Sequence, residues 1–125
     1  MMKIEITHVG NIAVAEIISD NIVMNNTEDA LDILGNCRYQ GADHIILHEK
    51  NIIPGFFDLK TTIAGDILQK FSTYQVSLAI VGDFSKYSSQ SLKDFIYESN
   101  KVGRINFVDT VAAATEKLAK QGSRG

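Results

Sequence analysis

Val76-Ser77-Leu78-Ala79-Ile80-Val81-Gly82 is apolar almost throughout and closes on a glycine, which reads as a buried strand. Helical patterns lie on both sides of it. Upstream, Ile63, Ala64, Ile67, Leu68 and Phe71 fall on one side of a helix; downstream, Leu92, Phe95 and Ile96 do the same. Ser91-Leu92-Lys93-Asp94 has the spacing of a capping box, with Asp for the usual Glu, and Asn100 and Gly103 are expected to end that helix. Farther upstream, Asp43-His44-Ile45-Ile46-Leu47-His48 is a short apolar run of the kind buried in parallel sheets. Before it, Ala30, Ile33, Leu34 and Cys37 recur at helical spacing. Asn26 or Thr27 serves as the cap, Glu28 and Asp29 sit in the first turn, and the helix stops near Gly41. Toward the C-terminus, Arg104 to Val108 reads as a last strand. Asp109 or Thr110 then caps a helix carrying Val111, Ala114 and Leu118.

At the N-terminus, Met2 to His8 alternates apolar and polar residues, Gly10-Asn11 supplies a turn, and Ile12 to Ile18 returns as a second strand. The expected order is therefore β-β-α-β-α-β-α-β-α. It makes one α/β domain over residues 1–120, with four helices and a mostly parallel sheet opened by an antiparallel hairpin. Helices between successive strands require parallel pairing with right-handed crossovers. Residues 121–125 lack periodicity and an apolar anchor, and read as a disordered tail or a vector remnant.

A chain of 125 residues with 45% apolar side chains fits within one core. The net charge of −3, a pI near 5.5 and the absence of any Lys/Arg run exclude an electrostatic role on nucleic acid or an anionic membrane. The single cysteine, Cys37, lies on an apolar helix face, and Arg38 points roughly 100° away around the helix, so a packed, inert thiol is expected. The charged start Met1-Met2-Lys3-Ile4-Glu5 is unlike a signal peptide, and no apolar run approaches the ~20 residues of a membrane span. A cytoplasmic location follows as an expectation.

In a parallel sheet, chemistry gathers beyond the carboxyl ends of the strands. The loops there, 49–62 and 83–89, carry Asp58, Lys60, Thr61, Thr62, Asp83, Ser85 and Tyr87. One of Thr61 and Thr62 is expected to cap the second helix; the sharper alternative is a hydroxyl phosphorylated against that helix N-terminus. Asp58 and Asp83 suit either paired carboxylates or two separate loop acids. His44 and His48 share a sheet face about 13 Å apart, too far to bind one metal together, while His48-Glu49 suits a catalytic pair. Ser85 and Lys86, adjacent in sequence, are not expected to face one another. Phe56-Phe57 suggests either an exposed docking anchor or a plug beneath the following helix. No phosphate-cradling glycine loop, nucleophile elbow, Cys-x-x-Cys or His-Glu-x-x-His is present, so no cofactor or metal is expected.

Phe56-Phe57-Asp58-Leu59-Lys60-Thr61, Ala64-Gly65, Leu68-Gln69-Lys70, Ala79 to Phe84 and Phe95 to Asn100 together resemble a bacterial family known as a domain of unknown function, DUF4180. The element order is similar to that of STAS domains, the fold of anti-sigma factor antagonists. Their Asp-Ser-Ser-Gly turn starts the second helix and is phosphorylated on its second hydroxyl by a partner kinase. Aligned through Gly65-x-Ile67-Leu68, that turn falls with Thr61 and Thr62 on the two serines and Thr62 at the acceptor position. Lys60 replaces the acid and Ile63 the glycine. The resemblance implies a regulatory, protein-binding module acting through Phe56, Phe57, Asp58, Lys60, Thr61, Thr62, Asp83 and Ser85. The alternatives are a small enzyme or metabolite-binding domain using Asp58, Lys60, Asp83, Ser85 and His48, and a homodimer.

Overall fold

The computed structural model describes residues 2–123. Strand β1 (Lys3–Val9) turns through Gly10-Asn11 into β2 (Ile12–Ile18), in register from Lys3 opposite Ile18 to Val9 opposite Ile12. Of the two turn residues only Gly10 adopts the left-handed conformation, at φ 60°, which makes this a two-residue turn with glycine first. The chain continues through α1 (Thr27–Tyr39), β3 (His44–His48), α2 (Ile63–Thr73), β4 (Ser77–Val81), α3 (Gln90–Val102), β5 (Ile105–Val108) and α4 (Val111–Ser123).

The element order is the one expected, and the boundaries differ where side chains decide them. Asn26 caps α1, its side-chain oxygen accepting from the Asp29 N–H at 2.9 Å. Ser89, two residues before the expected box, caps α3 through the Leu92 N–H at 3.3 Å. Thr110 caps α4 through the Ala113 N–H. Helix α4 continues past residue 120 to Ser123, and residues 124–125 of the expected tail lie outside the described residues. Between β3 and α2 the expected loop is wound into three short 3-10 turns, Glu49–Asn51, Pro54–Phe57 and Leu59–Thr61.

The sheet has the order β1-β2-β3-β4-β5, antiparallel between the first two strands and parallel thereafter. Because this order never reverses, right-handed crossovers must deliver α1, α2 and α3 to the same face. Their apolar stripes, including Ile33, Leu34, Ile67, Phe71 and Leu92, pack on Ala15, Ile17, Ile45, Leu47, Leu78, Ile80, Ile105 and Phe107. The alternate strand residues Val14, Ile46 and Ala79 face the other way and are covered by α4 through Ala114 and Leu118. One helix is too narrow for five strands. The rest of that face accordingly carries polar residues such as Glu16 and His48, each about a quarter exposed and 2.8 Å apart. Cys37 is fully buried in the helical layer, and burial pushes its thiol up to about 11, as an inert packing residue requires.

The outer edge of β5 is closed by a side chain. Asn100, inside α3 rather than ending it, accepts from the Phe107 N–H at 2.6 Å and donates to the Phe107 carbonyl at 3.2 Å, standing where a neighbouring strand would. Asn100→Ala strips both partners from Phe107. The expected loss is about 2 kcal/mol in a urea titration; an unchanged midpoint would show that the edge does not depend on this residue.

Candidate functional site

The segment leading into α2 is pinned from beneath. Phe56 and Phe57 are buried, their rings edge-on at 5.0 Å, and Phe57 stacks on Tyr87 at 5.2 Å. They are therefore the plug under the loop rather than exposed docking anchors. Above them the chain turns outward. The Asp58 carboxylate accepts from the Lys60 N–H at 3.2 Å. The Thr61 hydroxyl lies 2.7 Å from the Gly55 carbonyl and 2.8 Å from that of Asp58, and accepts from the Ile63 N–H at 3.3 Å. Thr61 thus knots the turn together.

Thr62 differs. It holds the N-cap position of α2 at φ 63°, ψ 0°, in the left-handed region, and its hydroxyl makes no capping bond. A β-branched residue is rarely found there, at a cost on the order of 1–2 kcal/mol. Of the two adjacent threonines, the cap position thus falls to Thr62, but the bond to the helix amide is made by Thr61. Asp58, Lys60, Thr61 and Thr62 are all exposed and form one continuous rim.

A second group is assembled by the sheet. His48 of β3 and Val81 of β4 are Cα partners, so the next residues, Glu49 and Gly82, come face to face. A Cβ on Gly82 would stand 2.6 Å from Glu49 Oε1 and 2.7 Å from Glu49 Cβ, so only glycine fits beneath this side chain. The Glu49 carboxylate, 13% exposed, accepts from Lys86 Nζ at 2.8 Å and from the Tyr87 hydroxyl. Lys86 Nζ also lies 5.4 Å from the centre of the Tyr87 ring. Burial, and then the hydrogen bond to Glu49, push the Tyr87 phenol well above its ordinary value. Opposite this cluster, the side chain of fully buried Asn51 donates to the carbonyls of Ser19 and Asn21, both at 2.8 Å. It fixes the segment that carries Ile22. A cleft of about 270 Å³ lies between, lined by Ile22, Ile52, Pro54, Lys86 and Tyr87 among others.

The remaining candidates are dispersed. Asp83 accepts from the Ser85 hydroxyl at 2.5 Å and from the Ser85 N–H at 3.1 Å, and these bonds lower its pKa. An Asp held ionised in this way is a poor proton donor. Asp83 and Ser85 border a separate, more open groove of about 470 Å³, while Asp58 and Lys60 line neither cleft. Adjacent in sequence, His48 and Glu49 part company, since His48 bonds Glu16 while Glu49 bonds Lys86 and Tyr87. Ser85 and Lys86 likewise turn to different partners, Asp83 and Glu49. Among the described residues no three His, Cys, Asp or Glu side chains converge to hold a metal ion, and no helix is long and apolar enough to cross a membrane.

The sequence alone does not bring Glu49, Lys86 and Tyr87 together. Their signal is a glycine ending one parallel strand beside an acid ending its neighbour, which only the register reveals.

These features define a parallel α/β domain with an opening hairpin, a one-sided layer of three helices and a polar rim at the start of α2. The family described as Domain of unknown function (DUF4180) matches residues 9–118, and the chain belongs to it. No curated protein and no solved structure gives a match.

Three outcomes test the Glu49 cluster. Gly82→Ala should cost about 1–3 kcal/mol, because the methyl group must displace Glu49. A phenol whose folded pKa is raised contributes stability that is complete below its ordinary value of 10 and drains away as the pH climbs beyond it. The urea midpoint should therefore fall above pH 10 more steeply than the raised Cys37 thiol alone makes it fall, by an amount that Tyr87→Phe removes, and Glu49→Gln should lower the Tyr87 ionisation followed by absorbance. An unmoved Tyr87 titration would break the link.

Proposed function

We propose that this chain is a regulatory, protein-binding module whose contact surface is the rim Asp58, Lys60, Thr61 and Thr62, with Thr62 as a phosphorylatable switch. The observation that carries the reading is the state of Thr62: exposed, at the start of α2, in a backbone conformation that disfavours threonine, and contributing no cap. Strain retained without a structural return points toward function. Thr61, spent on the Gly55 and Asp58 carbonyls, is the poorer acceptor of the two. A phosphate on Thr62 would meet the first-turn amides of α2 that lack intrahelical acceptors, with the Lys60 ammonium two residues away.

Phe56 and Phe57 serve this surface from below by keeping the loop in one shape, and the apolar docking role expected of them passes out of the reading. The likeness to STAS domains in element order supports the same assignment. So does the placement of Thr62 on the phospho-acceptor of their turn. A lone, packed Cys37 agrees with a cytoplasmic setting.

The test begins with the purified chain incubated with ATP, Mg²⁺ and extract of the source cells, followed by phosphopeptide mapping. Phosphate is expected on Thr62 and lost in Thr62→Ala; phosphate only elsewhere, or none, removes the switch from the reading. In the absence of partners, Thr62→Gly should raise stability by about 1 kcal/mol by relieving the left-handed backbone. If stability falls instead, the threonine is serving the fold and the strain argument fails.

A further inference from the structure

The two edges of the sheet are treated differently. The four-residue β5 has its outward backbone groups at Phe107 taken by Asn100. Among the described residues no side chain takes the outward backbone groups of the seven-residue β1 in this way. In a two-residue hairpin the residues flanking the turn, Val9 and Ile12, bond each other on the inner side, and bonding alternates from there. Lys3, Glu5, Thr7 and Val9 therefore turn their N–H and C=O toward β2, and Ile4, Ile6 and His8 turn theirs outward.

The side chains of β1 also divide by face. Met2, Ile4 and Ile6 are partly buried against the helical-layer core, while Lys3 and Glu5 are exposed on the other face. There Glu5 lies directly opposite Glu16 across the hairpin, with Lys3 at 3.1 Å from Glu5 as its cation. Glu16 is engaged by His48 at 2.8 Å, so the exposed carboxylate that a further cation would serve on this face is Glu5.

We infer that two copies of this chain pair antiparallel through the outer edges of β1, on a two-fold axis at Ile4, joining two five-stranded sheets into one. Ile4 exchanges both backbone hydrogen bonds with Ile4 of the second copy, and Ile6 pairs with the second copy's Met2. Lys3 stands opposite the second copy's Glu5, twice over, in the closely spaced pairs that bond no backbone. The axis lies perpendicular to the sheet, so apolar residues meet apolar residues on the helical face and the charges meet on the other. The competing registers are poorer. An axis at Glu5 sets the two Glu5 carboxylates against each other, and an axis at Ile6 sets Lys3 against Val9 and leaves the charges unmatched.

This surface is separate from the rim at Thr62, so either assignment can fail alone. The test is sedimentation equilibrium of the full chain at the highest soluble concentration. Wild type should run at twice the 13.8 kDa chain mass. Lys3→Glu should weaken the dimer about tenfold or more, and Lys3→Glu with Glu5→Lys should restore it. Ile4→Pro removes the central N–H and should give a monomer with an unchanged circular dichroism spectrum, since proline is tolerated where an edge N–H has no partner. A monomeric wild type, or a dimer indifferent to Lys3→Glu or to Ile4→Pro, overturns the proposal.

Discussion

The order of the strands is the constraint from which the rest of the structure follows. Each parallel strand after β2 is laid beside its predecessor in sequence, and a right-handed crossover then has one face to which it can deliver its helix. Three helices thereby share one side, and their stripes meet in a single large core. The other side is left to α4 and to polar residues. In a doubly wound sheet the reversal of strand order opens a crevice where ligands bind. No reversal occurs here, and the polar groups at the strand ends are distributed among separate turns rather than gathered around a central cavity.

In that arrangement the polar groups at the ends of β3 and β4 are engaged with their near neighbours. Asp83 holds Ser85, His48 holds Glu16, and Glu49 is held between Lys86 and Tyr87 above Gly82. The first bond closes a turn on itself, the second joins two strands, and the third ties the turn after β3 to the loop after β4. The result is a firm upper surface on which the rim at the start of α2 stands out, supported by two buried phenylalanines.

Most of the architecture could be read from periodicity. The alternation in Met2 to His8, the apolar runs at Ile45 to Leu47 and Leu78 to Val81, and the four helical stripes all carry their period in the residues themselves. The site was less readable, for three physical reasons. The 3-10 turns at Pro54–Phe57 and Leu59–Thr61 are too short to impose a period, so Phe56-Phe57 read equally well as an anchor or as a plug. Thr61 and Thr62 are chemically identical, and only a backbone dihedral separates the knot from the strained cap. Glu49 and Tyr87 lie 38 residues apart, and the sheet register that joins them is a tertiary fact.

The consecutive strand order also bears on how the chain acquires its shape. Every parallel strand finds its partner already synthesised, so most contacts close over a single crossover rather than across the whole chain. The hairpin can template β3, β3 can template β4, and the helical layer can grow with them as the chain leaves the ribosome. The second face waits longest. Val14, Ile46 and Ala79 stay uncovered until Ala114 and Leu118 of α4 arrive. The final helix is thus the closing step of assembly, and a chain cut short before residue 111 would present a strip of bare apolar sheet to whatever it met.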